Sequence, residues 1–248
     1  MDEDAAKTGL ERGVAWGEDD PLLRLRGRRG LRMGIMGGAF DPIHIAHLVT
    51  AEEALVQFDL DQVVFMPAGN HPLKSRRMAP REFRYLLVSV ATAAHPHFVV
   101  SRYELDQKEV GYTVNTLEHV RSVLADDAKV FFITGADAVL DILAWKHPTR
   151  VLELCTLVAA TRPGYDLGRL AEVLAGLGGS LDVTGPDSCV QAMEVPGLAI
   201  SSSMIRERLA AGRAVRYLLP DGVAELIEKA GQYRTFDPER TPGQAGSA

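Results

Sequence analysis

Residues 32–50 read RMGIMGGAFDPIHIAHLVT, a short apolar run that meets two glycines, an Asp-Pro step and two histidines three residues apart. Met33, Ile35 and Met36 are too few for a helix of their own, and Gly37-Gly38 stops any regular element, so the run is a strand ending at the glycines. Beyond them Ile45, Leu48, Val49, Leu55 and Val56 recur at helical spacing among the good helix formers of AEEAL, which starts a helix near His44 to Ala46. Two residues without side chains let a bulky anion reach the backbone. The free N–H groups and positive dipole end of the following helix favour negative charge, which suits a polyphosphate. His44 and His47 in one first turn share a face and can donate hydrogen bonds to phosphate oxygens; the same pair also suits a solvated face or, with Asp41, a metal site.

The rest of the chain bounds what such a unit can serve. At 248 residues, 46% hydrophobic and 24% charged, it can bury one good core and make one domain. A net charge of −6 argues against a general nucleic-acid binder, which needs a basic face, whereas a small anionic ligand needs only a local basic pocket. Cys155 and Cys189 give neither metal-ligand spacing nor a disulfide framework and fit a reducing compartment. No apolar run reaches membrane-span length and no signal-peptide core is present, so a cytoplasmic protein without membrane contact is expected. Residues 1–30 are acidic and polar, then carry a basic run of Arg24, Arg26, Arg28 and Arg29; they are expected to form a disordered or loosely held extension, and residues 235–248 a disordered tail around a domain spanning 31–234.

Within that domain, strands are expected over 62–66, 98–101, 130–134 and 154–160, with a weaker one between 180 and 195. Helices are expected over 81–94, from a Thr113 N-cap onward, through DAVLDILAW, over 167–177, after the serines 201–203, and in the closing YLLPDGVAELIEKAGQYR. Strands alternating with helices are the pattern of stacked βαβ units, so the fold class is α/β, a doubly wound parallel sheet of Rossmann-like type. Ligands of such sheets bind outside the carboxyl ends of the strands. The glycine turn, the basic loop GNHPLKSRRMAP, Thr113, Gly135 to Asp137, Arg162 and the serine cluster all follow strands or open helices and can meet in one cleft. Asp137 can accept hydrogen bonds from a ribose or an adenine amino group, or simply cap its helix. Trp145 can stack on a planar heterocycle or pack. Three serines with Arg206 one turn later make a second anion site or an ordinary cap.

GGAFDPIHIAHL resembles the GGxFDPxHxGH element of nucleotidyltransferases related to nicotinate-nucleotide adenylyltransferase, with Ala46 where that family usually has glycine. VVFMPAGNHPLK, GYTVNTL, FFITGADAVLDILAW, RPGY and ISSSMIRERL follow in the family's order, Ser203 standing where threonine is frequent. Over residues 31–234 this resemblance implies a nucleotidyltransferase fold and transfer of the adenylyl group of ATP to nicotinate mononucleotide in NAD biosynthesis, with Mg2+ carried on the ATP. It implies catalytic roles for His44, His47 and Arg206. ATP would lie against Gly37, Gly38, Phe40, His44, His47, Gly135, Asp137, Ser201, Ser202, Ser203 and Arg206. The mononucleotide would lie against Asn70, Lys74, Tyr112, Thr113, Trp145 and Arg162, with no metal ligand in the protein. Nicotinamide-mononucleotide or dual specificity and a catalytically silent nucleotide sensor are the alternatives.

Overall fold

Six strands, β1 (Arg32–Gly38), β2 (Gln62–Pro67), β3 (Phe98–Val100), β4 (Lys129–Gly135), β5 (Thr156–Thr161) and β6 (Val190–Glu194), pair in parallel in the order β3-β2-β1-β4-β5-β6. The computed structural model describes residues 20–69, 78–107, 111–175 and 188–234. Alternate residues along each strand feed two separate cores, as a sheet covered on both faces requires. Met33, Ile35, Val64, Val130, Phe132 and Leu157 enter one core; Met36, Val63, Phe65, Phe131, Ile133 and Val158 enter the other. The doubly wound Rossmann-like sheet expected from the strand spacing is the sheet observed.

Helices sort between these faces by the stripe each one buries. Helix α1 (Ile45–Gln57) buries Ala51 and Ala54, α2 (Arg81–Thr92) buries Leu87 and Val88, and a later pair of helices, Ser202–Ala210 and Asp221–Ala230, adds Ile205, Val223 and Ile227 on the same side. Opposite them lie the helix Thr113–Val123, with Val114, Leu117, Val120 and Val123, and the helix Pro148–Leu154, with Val151 and Leu154. In chain order the remaining helices are α3 (Tyr103–Asp106), α4 (Thr113–Val123), α5 (Ala136–Leu140), α6 (Pro148–Leu154), α7 (Leu167–Ala175), α8 (Ser202–Ala210) and α9 (Asp221–Ala230).

Four local expectations are corrected. Residues 20–25 are not a loose arm: Pro21–Leu25 is a 3-10 helix whose Leu22 and Leu25 are buried in the core with Val114 and Leu117, while residues 1–19 lie outside the described residues. Thr113 is not the N-cap of α4 but its first helical residue; the cap is Tyr112, without a side-chain capping bond. DAVLDILAW is not one helix. Its buried residues are Val139 and Ile142, three apart like Ala136 and Val139 before them, and the chain leaves α5 at Asp141 and continues as a 3-10 turn over Ile142–Ala144, where side chains three apart eclipse. Helix α6, with Pro148 at its first position, was not expected and takes Leu154 from the predicted fifth strand. The predicted tail over 235–248 lies outside the described residues. Among the described residues no helix is long and apolar enough to cross a membrane.

Candidate active site

The carboxyl end of β1 lies between β2 and β4, where the strand order reverses and a doubly wound sheet opens a crevice. A Cβ on Gly37 would press to 3.2 Å of the Phe132 ring and one on Gly38 to 3.2 Å of the Phe40 ring, a tight contact that glycine avoids at both positions. Phe40 itself is buried, in the left-handed backbone region (φ 45°), with its ring edge-on to His47 at 5.1 Å. Its side chain therefore braces the imidazole; any ATP contact it makes would come through its main chain.

His44 caps α1 and His47 occupies its third position, which stacks the two rings 3.7 Å apart and 22° from parallel. The shared face expected from their spacing is present. The His44 N–H donates to His47 Nδ1 at 3.2 Å, and a nitrogen that accepts carries no proton, so the His47 proton sits on Nε2. His44 is 5% exposed, and burial pulls its pKa from 6.5 down to about 4, so the ring is neutral at pH 7. Because the unfolded chain takes up this proton first, the neutral ring's contribution to stability is complete above about pH 6.5 and is lost as pH falls toward about 4. Over that window the loss approaches about 3 kcal/mol at 1.36 kcal/mol per pH unit. Urea denaturation of His44→Asn at pH 7 and pH 4.5 is expected to show a smaller acid loss than the parent chain.

One of the three serines caps the following helix, as expected: Ser201 is the N-cap of α8, its Oγ accepting from the Met204 N–H at 3.2 Å. The other hydroxyls hold neighbouring protein. Ser202 Oγ donates to the Pro42 carbonyl (2.8 Å), and Ser203 Oγ accepts from Arg206 Nη2 (2.9 Å). Arg206 Nη1 donates to the Asp41 carbonyl at 2.6 Å and lies 4.0 Å from Asp41 Oδ2. The two motifs, 160 residues apart in sequence, are thus stitched into one block.

Sequence reasoning missed the residues that hold this block rigid. Asp41 is 1% exposed, and its Oδ1 accepts from Tyr233 OH (2.8 Å) and the Ala79 N–H (3.1 Å). Burial and the Asp41 carboxylate push the Tyr233 phenol far above its ordinary pKa, so it stays a donor. Arg84, also 1% exposed, donates to the carbonyls of Ala39 (2.6 Å), Ala68 (2.7 Å) and Ala79 (3.2 Å), tying the β1 and β2 exits to the start of α2. An arginine among apolar residues on the buried stripe of α2 was the available signal.

Beside the glycines a cavity of about 260 Å³ opens on the other side of the β1 exit, lined by Gly37, Gly38, Tyr112, Thr113 and Trp145. Phe132 meets the Trp145 ring edge-to-face (6.1 Å, 82°), and Lys146 Nζ lies 4.4 Å from the centre of the Tyr112 ring. Glu104 is the unexpected member of this wall. Burial raises its carboxyl to about 7 against a hydrogen bond from Thr116 Oγ1 at 2.7 Å, so near neutrality it is only partly ionised. Asp141 also lines the cavity. Asp137 is exposed in the first turn of α5, Gly135 is its N-cap, and Arg162 is exposed just past β5; none of the three is among the residues lining the cavity. Asn70 and Lys74 lie outside the described residues. Among those described, no group of three or more His, Cys, Asp or Glu could hold a metal ion, and the pairing of His44, His47 and Asp41 is not such a group.

The glycine turn, the stacked imidazoles and the Arg206 helix are thus joined at the switch point of the sheet, and the family model described as cytidylyltransferase-like matches residues 35–208. The probable nicotinate-nucleotide adenylyltransferase of Thermoanaerobacter sp. is 45% identical over 207 residues, covering 83% of this chain and 96% of that one. That of Moorella thermoacetica is 45% identical over 204 residues, covering 82% and 92%. The chain therefore belongs to the cytidylyltransferase-like family and, within it, to the nicotinate-nucleotide adenylyltransferases. The fold is that of the Plasmodium falciparum nicotinic acid mononucleotide adenylyltransferase solved with NaAD, at a TM-score of 0.64 and 16% identity over 82% of this chain and 98% of that one.

Proposed function

We propose that the protein transfers the adenylyl group of ATP to nicotinate mononucleotide, releasing pyrophosphate and giving nicotinate adenine dinucleotide. The observation that carries this reading is that Gly37 and Gly38 border both halves of the site: they precede the stacked histidines and also line the cavity walled by Tyr112, Thr113 and Trp145. A triphosphate on the histidine side and a planar acceptor ring on the tryptophan side then meet at the glycines.

The acceptor nucleophile is a phosphate, already ionised at neutral pH, so no general base is needed. What the protein contributes is alignment of two anions and stabilisation of charge on the leaving pyrophosphate. His47 Nε2–H donates to the triphosphate. Arg206 and the Ser201 to Ser203 helix start face the pyrophosphate end, with Gly135 and Asp137 toward the adenosine. Tyr112, Thr113 and Trp145 hold the mononucleotide. Glycine N–H groups, imidazoles and an arginine are donors suited to anions, and they fit a triphosphate that brings its own Mg2+ as part of the substrate. Lys146 beside Tyr112 favours a ring bearing a carboxylate over one bearing an amide.

Pyrophosphate release by the purified protein with Mg-ATP tests this directly, with nicotinate mononucleotide compared with nicotinamide mononucleotide at equal concentration. The acid is expected to react at least tenfold faster. Equal rates would replace the reading by a dual-specificity enzyme, and silence with both would end it.

A further inference from the structure

Upstream of residue 35, where the family match begins, Asp20 is 8% exposed and fully engaged. Its Oδ1 accepts from the Leu22 N–H (2.9 Å), and its Oδ2 accepts from Ser101 Oγ (2.7 Å) and the Arg102 N–H (2.8 Å). Ser101 Oγ in turn accepts from the Tyr103 N–H at 3.1 Å. A buried carboxylate at the head of the N-terminal 3-10 helix therefore fixes the turn between β3 and α3. Helix α3 places Glu104 on the cavity wall, and Glu104 is bonded to Thr116 of α4, the helix that starts with Tyr112 and Thr113 on the same wall. Tyr103 also stacks on His119 of α4 (3.8 Å, 4° from parallel). On the other side of the segment Leu22 and Leu25 pack in one core with Val114 and Leu117, within two turns of Thr113.

We infer that residues 20–25 form a strap that sets the acceptor half of the site, with Asp20 a positioning residue acting through Ser101 and α3. The inference rests on reading the cavity as the mononucleotide site. A support that reaches a binding wall through buried bonds narrows its geometry without touching the ligand, so its loss shows in the affinity for that ligand alone.

The test uses the full chain carrying Asp20→Ala, Ser101→Ala, both together, or Trp145→Ala. Each is assayed for KM toward nicotinate mononucleotide and toward ATP below its melting temperature. Asp20→Ala is expected to raise the mononucleotide KM at least fivefold while moving the ATP KM less than twofold. Ser101→Ala should do the same to a smaller extent, and the double variant should add little to Asp20→Ala, because both remove one shared bond. Should Asp20→Ala fail to fold, the split in Ser101→Ala decides alone. Trp145→Ala separates the two claims: if it leaves the mononucleotide KM unchanged, the cavity is not the acceptor site. If it raises that KM while the Asp20 and Ser101 variants match the parent chain, or raise both KM values together, the strap is refuted and the cavity assignment stands.

Discussion

Turnover of the His47→Ala variant is expected to fall by about 10²–10³-fold, the loss that follows removal of one preorganised oxyanion donor. The expectation follows from the ring's surroundings rather than from its identity alone. His44 N–H occupies Nδ1, the Phe40 ring meets one flank edge-on, and the His44 ring covers a face, so the imidazole is held in one tautomer and one orientation before substrate arrives. On the proposed reading, a donor so fixed gives its full electrostatic effect to the leaving pyrophosphate, and alanine gives none. The same change removes the reciprocal half of a capping arrangement on α1, which costs about 1 kcal/mol of stability and leaves the protein folded. The check is kcat from pyrophosphate release together with a melting curve. Undiminished kcat in a folded variant would exclude His47 from phosphate contact.

The second large effect is on stability. Arg84→Met is expected to cost about 3–5 kcal/mol, because methionine fills the space but leaves the buried carbonyls of Ala39 and Ala68 and the part-buried one of Ala79 without a donor, at about 1–3 kcal/mol for each buried carbonyl before relaxation. Against a total stability of about 5–15 kcal/mol this is a large fraction. Arg84→Lys should recover only part, since one ammonium cannot reproduce the planar fork that spans carbonyls from three loops. Urea denaturation measures both variants. A loss below about 1 kcal/mol for Arg84→Met would mean that water satisfies those carbonyls and that the arginine is not what joins the β1 and β2 exits.

What could be read in advance divides along physical lines. β1, β2 and β4 were legible because a strand covered on both faces must be apolar almost throughout, and the glycine turn and capped α8 were legible because their chemistry is local. The Asp41 hub was not, since its partners Ala79, Arg206 and Tyr233 lie 38, 165 and 192 residues away and no local pattern reports them. DAVLDILAW misled because an apolar spacing of three fits the first turns of an α-helix as well as a 3-10 turn. The strap was hidden by the basic run that starts in it at Arg24 and continues through Arg26, Arg28 and Arg29, which drew attention to charge. Asp20 followed by Pro21 is a helix-start signature, and the leucines of PLLRL that come after it are the residues that pack.

The two cores have a consequence for how this molecule can be altered. On the proposed reading the triphosphate lies over the layer of α1, α2, α8 and α9, and the acceptor over the layer of α4 and the Pro21–Leu25 turn, with the sheet between them. Substitutions more than about 7–10 Å apart that share no partners add nearly independently. Selection for a different acceptor can therefore accumulate changes in one layer while adenylyl transfer remains protected in the other. A library confined to the wall around Tyr112, Thr113 and Trp145 would sample new acceptors on an intact catalytic chassis, whereas mutations scattered over both layers would mostly sample inactive chains.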